Sequence, residues 1–205
     1  MIENLFSSQI WKCSLNVENS IKNKLLNDIE ENFQKDKNYL HPSWKCKVNT
    51  TFLKDSSVDF SFIIQYFKNE YEKFSKQLNL NLHTYNLYQT WYNYYLSGYN
   101  QEFHDHVSPD KSDIYSMIYF LKIDDDHPKV TFYNYTNYHI FYNSKPKVKD
   151  IYNLDNINHS IVGMYWDLNV KEGDLIIFPA YMPHGVFVQK TDNPRITISS
   201  NIKLE

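Results

Sequence analysis

The 205-residue chain carries 21 basic and 24 acidic residues, and its formal net charge of −3 offers no global basic field to nucleic acid. Hydrophobic residues make up 42% and charged residues 22%, enough for a buried core, while no run approaches the ~18 consecutive apolar residues of a membrane span. Two cysteines and four glycines exclude a disulfide scaffold, a cysteine-based zinc knot and a glycine-rich nucleotide loop, so a reducing cytoplasm is the expected compartment.

In chain order, the end of "NLFSSQIWKCSL" reads as a strand. Residues 18–35 follow as an amphipathic helix, with Ile21, Leu25, Leu26, Ile29 and Phe33 at helical spacing. The irregular segment 39–57 has Trp44 and Cys46 as candidates for a short strand. Residues 59–78 form a second helix with a stripe of Phe60, Ile63, Ile64, Phe67, Tyr71 and Phe74. From about residue 83 the period changes. "HTYNLYQTWYNYYLSG" has strand composition, and further strands are expected at 115–122, 129–134, 139–143, 160–169, 174–180, 184–189 and 195–204. About eight short strands separated by turn signals predict a mainly β chain with flanking N-terminal helices, its core a β-sandwich or barrel of the jelly-roll kind. The boundaries expected are one domain over 1–205, with a helical flank at 1–82 and a β core at 83–205.

Two groups of residues carry chemistry. The first is His104-Asp105-His106, where an extended backbone would aim both imidazoles to one side and Asp105 to the other. His184 follows the apolar strand "DLIIFPA" and could complete a three-histidine facial site with open positions. The second is Arg195, the one arginine among 21 basic residues. It opens a strand that alternates Thr197 and Ser199 on one face, and a hairpin through "KTDNP" would put His184 and Arg195 on neighbouring strands. A planar guanidinium beside a hydroxyl suits a carboxylate. Trp91, Asn93 and Tyr95 share one strand face, Tyr92 and Tyr94 the other, and Tyr115, Met117 and Tyr119 alternate likewise. His41, His83, His127, His139 and His159 have no partner at informative spacing and read as structural or exposed.

The order W-x-N, G, H-x-H-x-x-P, Y, G-D-L-I-x-F-P, H-G-V, P-R-I-T-I-S-x-N over about 89–202 resembles the 2-oxoglutarate- and Fe(II)-dependent oxygenases, in a branch with H-x-H where H-x-D is usual. The most specific stretch is 172–202. The resemblance implies a double-stranded β-helix core, with Fe(II), 2-oxoglutarate and O2 as cofactor and cosubstrates. It implies His104 and His184 as iron ligands, Arg195 on the remote carboxylate of 2-oxoglutarate and Thr197 beside it. Asn93 and Tyr119 match positions recurring in the branch and are candidate hydrogen-bond donors to 2-oxoglutarate. The middle ligand stays open. His106 could bind iron as a third histidine, Asp105 or Asp110 could supply a carboxylate, or iron could keep two protein ligands with His106 behind them. The implied activity is hydroxylation of a small-molecule or peptide substrate with release of succinate and CO2. A metal-dependent cupin-like enzyme using three histidines without 2-oxoglutarate and a non-enzymatic jelly-roll binding protein are the alternatives. No bulk nucleic acid or membrane partner is expected, and the oligomeric state is not readable from the sequence.

Overall fold

In the computed structural model, residues 8–80, 85–110, 112–134 and 165–204 are described. The elements run β1 (Trp11–Ser14), α1 (Asn19–Asp36), β2 (Asn49–Thr50), α2 (Ser61–Gln77), β3 (Tyr85–Tyr95), β4 (Gln101–His104), β5 (Asp113–Lys122), β6 (Val130–Tyr133), β7 (Tyr165–Asp167), β8 (Asp174–Pro179), β9 (His184–Val186) and β10 (Arg195–Leu204). The short strand of the 39–57 segment is thus β2, not Trp44 and Cys46. The strand expected at 139–143 lies outside the described residues, and of 160–169 the described strand is β7.

Two antiparallel sheets face each other. The larger has the order β1-β8-β5-β10-β3-β2 and the smaller β4-β9-β6-β7. This is the double-stranded β-helix, with both helices packed on the outer face of the larger sheet. Period-2 alternation divides the side chains of that sheet. Tyr92, Tyr94, Met117, Tyr119, Ile196 and Ile198 join Leu25, Ile29, Phe33, Ile63, Phe67 and Tyr71 of the helices in one buried cluster. Phe33 stacks on Tyr94 with ring centroids 4.0 Å apart, and Phe67 meets Tyr119 edge-on at 6.2 Å. Between the sheets, Ile118, Phe120, Val130, Phe132, Ile176 and Phe178 fill one end. A cavity of about 330 Å³ occupies the other.

His184 and Arg195 are not on neighbouring strands of one sheet. Strand β9 pairs with β4 and β6, whereas β10 pairs with β3 and β5. The chain crosses between sheets at "KTDNP", so the two side chains meet the same cavity from opposite walls. At Gly185 an added Cβ would lie 2.9 Å from the Gln101 carbonyl oxygen, so the missing side chain is what lets β9 approach β4 beside His184. No helix among the described residues is long and apolar enough to cross a membrane.

Candidate active site

His104 closes β4, and opposite it in the register stands His184, the first residue of β9. His106 lies just past β4, where its N–H donates to the Ala180 carbonyl at 2.8 Å. Each imidazole is tied down through Nδ1, to Glu102 O at 2.8 Å for His104, Asn201 Oδ1 at 2.8 Å for His106 and Met182 O at 3.1 Å for His184. All three oxygens are acceptors, so each Nδ1 carries the proton and each Nε2 keeps its lone pair. Those lone pairs converge. One ligand atom from each ring lies within 4.8 Å of the others, and Nε2 of His104 and His106 are 3.2 Å apart. Nitrogens each about 2.1 Å from one first-row ion stand roughly 3.0–3.4 Å apart, a range that holds the His104–His106 pair at 3.2 Å, and His184 lies close enough to join them around a metal. Burial lowers the pKa of all three rings, that of His106 to about 3, which keeps them neutral and competent as ligands. Among the described residues this is the one cluster of three such groups.

Neither carboxylate alternative joins the cluster. Asp105 is exposed, and its Oδ1 accepts the Val107 N–H at 3.1 Å. Asp110 is exposed too. It is held by the Ser108 and Ser112 hydroxyls at 2.7 and 2.6 Å and by Lys203 Nζ at 3.0 Å, contacts that push its pKa well down.

Strand β10 sends Arg195, Thr197, Ser199 and Asn201 to the cavity, and β3 sends Tyr95, Asn93 and Trp91 opposite the first three of them. Arg195 is 1% exposed, with its guanidinium carbon 4.8 Å from the Tyr95 ring centroid. Its Nε and Nη1 have no hydrogen-bond partner, and among the described residues it has no salt bridge. Burying an unpaired cation costs several kcal/mol, so this wall calls for an anion. Asn93 Oδ1 is buried and unpartnered as well. The fit to a dicarboxylate cosubstrate is therefore direct: a three-histidine cluster able to hold a metal and an unpaired guanidinium share one cavity.

Tyr119 does not share it. Its position on β5 has the opposite parity to Ile118, so it packs among the helices and its hydroxyl points away from the cosubstrate wall. Two residues with no role in the sequence reading contact the histidines, Asn201 behind His106 and Gln101 on the Nε2 side of His104. Asn201 Oδ1 takes the His106 N–H and the Ser116 hydroxyl at 2.9 Å. Gln101 accepts the Tyr95 hydroxyl at 2.5 Å and turns its amide nitrogen to 3.4 Å from His104 Nε2. Asn201 closes the same alternating series as Arg195, Thr197 and Ser199, which is the signal that could have found it. His127 is structural: it is buried, accepts the Asp124 N–H at 3.0 Å and contacts the Asn193 carbonyl at 3.1 Å.

The comparisons agree with this chemistry. A family model described as "Putative 2OG-Fe(II) oxygenase" matches residues 89–201. No curated protein matches in sequence. Among solved structures, a Pseudomonas putida prolyl-4-hydroxylase superposes with a TM-score of 0.58 at 12% identity, covering 97% of this chain and 94% of that one. A viral collagen prolyl hydroxylase from Paramecium bursaria Chlorella virus-1, in complex with 2-oxoglutarate, gives 0.55 at 14% identity, covering 96% of each chain. HygX from Streptomyces hygroscopicus, with nickel and 2-oxoglutarate bound, gives 0.58 at 8% identity, covering 96% of this chain and 83% of its own. At such identities the structural likeness speaks for the fold, and the family match over more than half the chain speaks for the chemistry. The chain belongs to the 2OG-Fe(II) oxygenase family and is an Fe(II)- and 2-oxoglutarate-dependent dioxygenase.

Proposed function

We propose that the chain hydroxylates an organic substrate with release of succinate and CO2, with His104, His106 and His184 as the iron ligands. The observation that carries this reading is the set of three Nδ1-anchored imidazoles opening onto the same cavity as an unpaired, buried guanidinium. Bound Fe(II), 2-oxoglutarate and O2 supply oxidative decarboxylation coupled to oxygen insertion into a C–H bond. The protein's part is to bind and orient. Arg195 takes the distal carboxylate with its two unpartnered N–H groups, and Thr197 and Asn93, side by side on neighbouring strands, line the same wall. Three neutral ligands leave the metal's full positive charge to be met by the cosubstrate, which strengthens selection for a chelating anion.

The test is anaerobic titration of Fe(II) and 2-oxoglutarate followed by visible absorption. A weak metal-to-ligand band is expected in the native chain and is lost in His106→Ala. In Arg195→Met, 2-oxoglutarate affinity should fall by about 100-fold or more while iron affinity holds. A band that survives His106→Ala would remove His106 from the ligand set.

A further inference from the structure

Two irregularities of the larger sheet flank β10 near the histidine cluster, and each one re-aims a side chain. On β3, the register skips Gln89, which has φ 53°, between the pairs Ser200–Thr90 and Asn201–Tyr88. Tyr88 thereby reaches the cavity despite having the opposite parity to Trp91. On β5, the register skips Ile114 between Ile202–Tyr115 and Lys203–Asp113. Tyr115 and Ile114 stay with the helices, and Asp113 returns to the cavity side together with Ile118. Lys203, opposite Asp113, lies two residues beyond Asn201, the partner of His106. In the register Asp113 therefore sits one two-residue step, about 7 Å of strand, beyond the level of Asn201, on the side away from Arg195.

Asp113 is 7% exposed, and its Oδ1 is buried with no hydrogen-bond partner. Among the described residues the cation opposite it in the register, Lys203, has its Nζ on Asp110 at 3.0 Å; Lys203 and the Tyr88 hydroxyl both feel the Asp113 carboxylate, but no described salt bridge reaches it. Tyr88, Trp91, Phe52 and Trp44 supply aromatic surface to the same cavity, with Phe52 edge-on to Trp91 at 4.9 Å and stacked on Trp44 at 5.7 Å. A buried carboxyl group without a cation is costly, and a neutral hydroxyl would supply a hydrogen bond without compensating charge. An alkylammonium group answers both needs, because it donates to the carboxylate and is attracted to aromatic faces.

The geometry points to Asp113 as the anchor for a primary ammonium group of the substrate, within an aromatic frame of Tyr88, Trp91, Phe52 and Trp44. This rests on the oxygenase reading of the cavity and names the substrate class for it: a small amine-bearing molecule, fixed at the end opposite Arg195.

Matched probes test it: Nα-acetyl-lysine methylamide against its Nε-acetyl form, and glucosamine against N-acetylglucosamine. Each is titrated into the chain loaded with Ni(II) and 2-oxoglutarate, with tryptophan fluorescence as the readout, since Trp44 and Trp91 line the cavity. At least one free amine should bind about tenfold more tightly than its acetylated partner. Asp113→Asn should erase that preference while leaving 2-oxoglutarate affinity unchanged. Equal binding of both members of each pair, or a preference that survives Asp113→Asn, would overturn the assignment. Failure of Ni(II) and 2-oxoglutarate to bind would strike the oxygenase reading itself, whereas normal cosubstrate binding without an amine preference strikes only Asp113.

Discussion

The two faces of the larger sheet are built from alternate residues of the same strands, yet they treat polar groups in opposite ways. On the helix side, Tyr92 and Tyr94 pass their hydroxyls to Asn32 at 2.8 Å and Glu30 at 2.7 Å, both on α1. The tyrosine bodies fill the core, and the helix provides most of the polar answers. On the cavity side, Arg195, Asn93 and Asp113 are buried with orphaned atoms. The helix side keeps a few unpartnered groups too, the Tyr71 and Tyr119 hydroxyls among them, but these are neutral and cost far less than a buried charge. The difference teaches where a ligand is required. Missing partners that are charged, and that gather around one void, mark groups whose partners come from outside the chain.

This contrast can be broken in measurable ways. Phe67→Ala should cost about 3–5 kcal/mol of stability, since Phe67 is fully buried on the inner face of α2 against Tyr119, and it should leave 2-oxoglutarate affinity per folded molecule unchanged. Chemical denaturation paired with ligand titration reads both quantities. A lost cosubstrate affinity there would show that the two faces are not independent. A smaller effect is expected from Asn201→Leu, which removes the acceptor that holds His106. Metal affinity should drop roughly 10- to 100-fold by Ni(II) competition, and Asn201→Asp, which keeps an acceptor oxygen, should restore it. Failure of that rescue would reduce Asn201 to a packing role. The smallest effect is expected from Tyr119→Phe. Deleting a buried, unpartnered hydroxyl should change stability by less than about 1 kcal/mol, with no change in 2-oxoglutarate binding. A large loss of cosubstrate affinity would return Tyr119 to the cavity wall.

Much of the molecule was legible from local pattern. The stripes of Ile21, Leu25, Ile29 and Phe33 and of Ile63, Phe67, Tyr71 and Phe74 became α1 and α2 because periodicity 3.6 needs no knowledge of what covers the stripe. The run from Arg195 to Leu204 became β10 with its expected bounds. The three histidines could be grouped because i,i+2 spacing delivers two rings together and a separate strand supplies the third. Tyr119 was misplaced for a converse reason. Alternation says which residues share a face, but not which of the two faces holds the void.

Composition and order along the chain determined the helical flank, the jelly-roll core and the prominence of Arg195, because patterning and rarity are properties of the sequence alone. The tertiary structure decided the rest. It set His184 and Arg195 on opposing sheets, brought Asn201 to His106, and turned Asp113 and Tyr88 inward. Those outcomes depend on sheet pairing and on bulges at Gln89 and Ile114, which shift parity through contacts with strands distant in the chain.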